Sequence, residues 1–233
     1  MRKTTINKLL ILPTLFLALT ACSSDDDNTI ATYDYSQCAR GTFTDERDGN
    51  VYHYITIGNL DWMTENARYD TGSDDTRAIY PTQGIPGDNN QTNNARTIAQ
   101  YGYLYSFEGA QQAAPKGWRV PTDDDWKALE TALGMSATEA DADEWRGNGV
   151  AVSLTDTTGV HLVLGGFEDM NSTSFASKYY YMKAMGYYWT SMSPSDGLGY
   201  FRKILYNDGR VYRHTTKTNN MLSVRFVRES PNP

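Results

Sequence analysis

The chain carries three histidines, His53, His161 and His214, and two cysteines, Cys22 and Cys38. A serine hydrolase needs a His within reach of an activated nucleophile, and none of the three lies in a Gly-x-Ser-x-Gly turn. They read as packed or surface histidines. Cys38 as a nucleophile needs a base beside it; it reads as a leftover thiol near the domain edge. Two cysteines make no disulfide framework, no zinc spacing and no redox pair. Asp123-Asp124-Asp125 lacks the alternate spacing of a calcium loop and suits the positive end of a helix instead. Glu168-Asp169, after Gly165-Gly166, is a better-placed oxygen cluster but still weak as a metal site. The expectation is a protein with no metal, no cofactor and no catalytic machinery. Paired carboxylates for glycoside hydrolysis remain an alternative, because their separation is a spatial fact.

Aromatic residues are the stronger candidates. There are 17 Tyr and 5 Trp. Trp62, Trp118, Trp126 and Trp189 fall in strand-like or helix-like runs and read as core. Trp145 lies in the polar segment Asp143-Glu144-Trp145-Arg146-Gly147, and Tyr179-Tyr180-Tyr181 in a polar loop. Flat rings with a polar edge suit the faces of sugars. The plainer reading is that these rings cover the rim of the core. The candidate glycan platform is Tyr179, Tyr180 and Tyr181, with Trp145 in support and Asn171 as a hydrogen-bonding partner. Successive strand residues point to opposite faces, so at most two of the three tyrosines share one surface if the run is extended.

The elements that position these residues read as mixed, with more strand than helix. Val51 to Ile57 is β-branched and aromatic after the turn Asp48-Gly49-Asn50. Thr122 and Asp125 form an approximate capping box before Trp126, Leu129 and Leu133, a single apolar stripe that Gly134 ends. A weaker helix is predicted from about Ser106 to Ala113. Strands are predicted at Val160–Leu164, Tyr187–Ser191, Tyr200–Tyr206, Arg210–His214 and Leu222–Arg228, with a hairpin at Asn207-Asp208-Gly209. Leu222, Val224 and Phe226 alternate with Ser223 and Arg225, as in a half-buried strand. Asp70–Gln100 and Phe167–Gly186 read as long polar loops, which in compact domains are usually functional or disordered.

The first 21 residues read as a leader. Arg2, Lys3 and Lys8 precede an apolar run, Leu9 to Leu19, that is too short to span a bilayer. Leu19-Thr20-Ala21-Cys22 resembles the bacterial lipobox, which makes Cys22 the lipid acceptor. Residues 22–37 read as an acidic flexible tether, and 38–233 as one domain with a sizeable core. The tether also looks like the acidic stretch of lipoproteins sent to the outer face of the Bacteroidota outer membrane. The expected location is therefore the outer membrane, facing outward and held by lipid. Without the leader, 18 Lys+Arg face 28 Asp+Glu, a net charge of about −10. With no basic stripe, no nucleic-acid partner is expected.

Several motifs in order resemble a known family. They are Asp48-Gly49-Asn50-Val51-Tyr52, Ile57-Gly58-Asn59, Trp62-Met63-Thr64-Glu65-Asn66 and Tyr101-Gly102-Tyr103-Leu104-Tyr105. Ala114-Pro115-Lys116-Gly117-Trp118-Arg119-Val120-Pro121-Thr122 with Trp126 follows, then Gly165-Gly166-Phe167, Tyr188-Trp189-Thr190-Ser191 and Ser223-Val224-Arg225-Phe226-Val227-Arg228. Over residues 41–228 they look like the Fibrobacter succinogenes major paralogous (FISUMP) domain of secreted bacterial proteins. Parts also resemble the formylglycine-generating-enzyme relatives of the C-type lectin fold. The resemblance implies an α+β, C-type-lectin-like domain with two main helices, small twisted antiparallel sheets and long loops. Many relatives carry Cys where this chain has Ala114 and Phe226, so packing must replace any bond made there. Formylglycine-generating enzymes depend on paired metal-binding cysteines, which are missing here, so that chemistry is not expected. The family often accompanies carbohydrate-uptake systems, which implies an extracellular polysaccharide or oligosaccharide as ligand. The alternative is a structural or adhesin role with a surface protein as partner.

Overall fold

The computed structural model describes residues 32–81, 91–173 and 178–231. Cys22 and the expected leader lie outside the described residues. The strands are β1 (Arg40–Thr44), β2 (Val51–Ile57), β3 (Leu60–Met63), β4 (Arg77–Ala78), β5 (Leu104–Tyr105), β6 (Glu144–Arg146), β7 (Phe167–Glu168), β8 (Tyr179–Tyr180), β9 (Met185–Trp189), β10 (Leu198–Leu205), β11 (Asp208–Lys217) and β12 (Val227–Glu229). The helices are α1 (Gln91–Tyr101), α2 (Phe107–Ala113), α3 (Asp123–Ala132), α4 (Ala137–Asp141) and α5 (Val150–Thr155).

The fold is mixed α+β with small antiparallel sheets. One four-stranded sheet runs β1-β2-β3-β12, a second runs β6-β11-β10-β9, and β4-β5 and β7-β8 are two-stranded pairs. No described helix is long and apolar enough to cross a membrane.

Helix α3 forms for the local reasons expected. The Thr122 hydroxyl accepts from the Asp125 N–H, and the Asp125 carboxylate accepts from the Thr122 N–H, closing the capping box. Trp126, Leu129 and Leu133 are all buried. The Trp126 ring meets Trp62 of β3 edge-on at 5.0 Å. Helix α2 lies where the weaker helix was predicted, capped by Ser106. The four tryptophans assigned to the core are buried there. Each removes on the order of 150–250 Å² from water, at most roughly 4–6 kcal/mol. The core has two main parts, one around Trp62, Trp126 and Tyr188 and one around Trp118, Trp189 and Phe226.

Five expectations are corrected. Residues 161–165 form no strand. His161 adopts a left-handed conformation with φ 55°. The Tyr188 hydroxyl accepts from the Val163 N–H at 2.8 Å and donates to its carbonyl at 2.6 Å. Arg225 donates to the carbonyls of Val160 and His161. Side chains thus satisfy backbone groups that a ladder would otherwise serve. Residues 222–228 are not one half-buried strand: Ser223 and Arg225 are as buried as their apolar neighbours. Arg225 is held by four neutral oxygens, those of the Asn66 side chain and the Met63, Val160 and His161 carbonyls. The segment read as a loop at Asp70–Gln100 contains α1, whose polar sequence hid it; Ile98 packs on the second part of the core. The β10–β11 hairpin turns at Tyr206-Asn207, one residue early, because Leu205 pairs with Asp208 after an irregularity beyond Lys203. The folded part also begins before Cys38. Tyr35 is buried, and its hydroxyl donates to the Ser153 carbonyl of α5 at 2.9 Å.

Candidate aromatic binding face

The sheet β6-β11-β10-β9 has two unlike faces, because successive side chains alternate. The inner face carries Tyr188, Arg202, Ile204, Val211, Arg213 and Arg146, all buried. The outer face carries one rung of residues in direct cross-strand register: Trp145 opposite Tyr212, Tyr212 opposite Lys203, and Lys203 opposite Tyr187. Trp145 meets Tyr212 at 5.2 Å and 62°. Phe201, two residues before Lys203, lies 5.9 Å from Tyr187 and 6.1 Å from Tyr212. His214 stacks on Tyr212 at 5.9 Å and 10°. Pairs of this kind contribute about 0.5–1.5 kcal/mol beyond area burial and hold ring orientation.

The β7–β8 pair extends this face. Phe167 lies 4.6 Å from Tyr187. Tyr180, opposite Phe167 in the ladder, stacks on it at 5.6 Å and 29°. Tyr181 follows with φ 65°, which turns its ring alongside Phe167 at 6.4 Å and 19°. Tyr181 is 50% exposed, so half of its surface is offered to solvent. Strand alternation sends Tyr179 the other way, edge-on to Tyr80 at 5.4 Å and against Ala78, Leu104 and Met221. Burial and then the neighbouring Glu168 raise its hydroxyl pKa well above the ordinary value.

Of the five candidates, the structure therefore brings Trp145, Tyr180 and Tyr181 onto one connected surface through Phe167, Tyr187 and Tyr212. Tyr179 is on a different one. Asn171 is held within the protein: its amide N–H₂ donates to the side-chain oxygens of Asp169, Asn219 and Asn220, and its oxygen accepts from Lys217. The partners Tyr187, Phe201, Lys203 and Tyr212 were missed. The available signal was the alternation of Phe201, Lys203 and Tyr212 within two strands joined by a hairpin; Tyr187 lies on the separate strand β9. Which faces of those strands pair across the sheet depends on register, and sequence alone does not supply it.

Lys203 sits at the centre. Its ammonium lies 3.8 Å from the Tyr212 ring centroid, 5.0 Å from that of Trp145 and 5.9 Å from that of Tyr187. Burial lowers its pKa, against an opposing pull from Glu144. The Arg210 guanidinium stands 5.6 Å from Trp145 and is itself paired with Asp208 at 2.7 Å.

The inner face holds the platform strands in place through a buried ion network. Arg202 pairs with Asp123 and Glu130, Arg146 with Glu130, and Arg213 with Asp123. Burial raises the Asp123 pKa, but hydrogen bonds from Arg213 and the charge of Arg202 outweigh it and hold the carboxyl far below its ordinary range. Asp123 and Glu130 are two helical turns apart on α3, on the side that carries Trp126. The acidic run at 123–125 thus does more than face the helix dipole: Asp123 anchors the sheet, Asp125 caps the helix and pairs with Arg119, and Asp124 lies near Lys127. Among the described residues, no group of three or more His, Cys, Asp or Glu could hold a metal ion. His53 is exposed and meets Glu65 at 2.7 Å, His214 is exposed, and His161 is half-buried. Glu168 is buried beside Lys178.

A separate cleft of about 690 Å³ opens between α5, residues 161–164 and the β10–β11 turn. It includes none of the five candidates.

A search of curated proteins and a search of solved structures returned no match. The family described as the Fibrobacter succinogenes major domain matches residues 55–228, from β2 through both sheets to β12. That span contains every residue of the aromatic face and of the ion network behind it, and by it the chain belongs to the Fibrobacter succinogenes major domain family.

Proposed function

We propose that this chain is an outer-membrane lipoprotein, lipidated at Cys22 and facing the cell exterior, that binds an extracellular glycan without catalysis. The observation that carries the reading is the outer face of the second sheet, where Trp145 and Tyr212 share a rung with the buried Tyr187, and Tyr180 and Tyr181 continue the face beyond it. Apolar rings with polar edges, held by packing before any ligand arrives, suit the C–H faces of sugars. Such a platform on a displayed protein fits a polysaccharide or oligosaccharide better than a nucleic acid, given the acidic balance of the chain.

The finer architecture we read as C-type-lectin-like. Supporting this are the small antiparallel sheets, and the Gly117-Trp118-Arg119-Val120-Pro121-Thr122 segment that leads into α3. Arg119 also bridges to Val227 near the chain end.

The test is a glycan array probed with the full chain, followed by titration of the best binder. Saturable binding in the micromolar to millimolar range is expected. No binding at millimolar glycan would move the function to surface assembly or adhesion.

A further inference from the structure

Lys203 differs from the arginines of its sheet. Arg146, Arg202, Arg210 and Arg213 each pair with a carboxylate at 2.7 or 2.8 Å. Lys203 is half-buried, yet among the described residues no carboxylate stands at ion-pair distance from it, and Glu144 acts on it only through space. Its ammonium instead rests over the Tyr212 face, with Trp145 and Tyr187 on either side. Ring faces attract a cation but accept no conventional hydrogen bond, so the three N–H donors are left for water or a ligand. They lie at the middle of the rung on which a sugar would stack.

We propose that the glycan bound on this face is acidic, and that Lys203 receives the carboxylate of a uronic acid residue stacked on the Trp145 side of the rung. The inference rests on the glycan-binding reading above. A carboxylate would supply the charge-assisted hydrogen bonds that the ammonium lacks, in a setting less screened than open water. The chain is strongly acidic overall, so a dense polyanion is repelled. The fitting class is an oligosaccharide with uronic acid residues spaced among neutral sugars.

The experiment titrates the full chain with uronic-acid-containing oligosaccharides, each beside a twin whose carboxyl groups have been reduced to primary alcohols. The acidic member is expected to bind about ten- to hundredfold more tightly, the range of one charge-assisted contact. Lys203→Met keeps the stem that covers Tyr212 and removes the charge. It should abolish the preference, and Lys203→Arg should keep part of it. Equal binding of both twins by the wild type overturns the acidic assignment and leaves the glycan reading standing. That comparison needs no variant to fold. A preference that survives Lys203→Met also overturns the assignment to Lys203. Failure of every acidic and neutral member to bind overturns both readings together.

Discussion

Arg202 and Glu130 meet in the interior, Nε to Oε1 at 2.7 Å, and neither side chain is exposed to solvent. On β10, Phe201 and Lys203 flank Arg202 and point the other way, onto the aromatic face. The ion pair therefore fixes the strand that carries the centre of the platform, without itself reaching a ligand.

Glu130→Ala should be strongly destabilising. It leaves Arg202 and Arg146 short of a carboxylate in a site with no access to water, and breaking one partner of a buried pair costs about 3–5 kcal/mol. Urea unfolding of the full chain measures it. A loss under about 1 kcal/mol would show that the network contributes little to stability.

Stability should fall in acid, with Asp123 contributing. Its folded-state pKa is depressed below the ordinary 3.8, so below that value the unfolded chain takes up a proton that the folded chain resists. The contribution is fully present above the unfolded value and is lost as pH falls toward the folded one. Melting temperatures recorded from neutral pH downward should stay level until roughly pH 5 and then drop. Asp123→Asn should be less stable at neutral pH and show a shallower drop.

Tyr181→Ala and Tyr179→Ala should separate binding from folding. Tyr181 is half exposed on the platform, and its loss should weaken glycan binding by about 1–3 kcal/mol, roughly five- to hundredfold, by analogy with base stacking on aromatic rings. Tyr179 packs on Tyr80, so its loss should lower the melting temperature and leave affinity nearly unchanged. Titration and thermal melts on the same preparations test the pair. Equal affinities for wild type and Tyr181→Ala would remove this ring from the site.

Labelled palmitate should enter the wild-type chain in bacterial cells and not the Cys22→Ser variant. The motivation is the Leu19-Thr20-Ala21-Cys22 segment after a charged and apolar leader. Label in the variant would reject Cys22 as the acceptor.

Local order was legible where a short segment decides its own structure. The Thr122–Asp125 capping box and the Trp126, Leu129 and Leu133 stripe were plain, because capping bonds and helical spacing act within a few residues. So were β2, the pairing of β10 with β11 though not the position of their turn, and the burial of four tryptophans. Resemblance of ordered motifs was enough to indicate the family.

Tertiary structure decided what depends on partners far along the chain. Residues 222–228 alternate like a half-buried strand, yet Ser223 and Arg225 are both buried, and oxygens of residues 63, 66, 160 and 161 close over the Arg225 guanidinium. The run of three tyrosines is contiguous in sequence but divided in space, since strand alternation turns Tyr179 from the face that Tyr180 and Tyr181 share. Trp145 joins that face only through antiparallel register with Tyr212, 67 residues further on. A slip of one residue in that register would turn Trp145 into the core and Arg146 out to solvent.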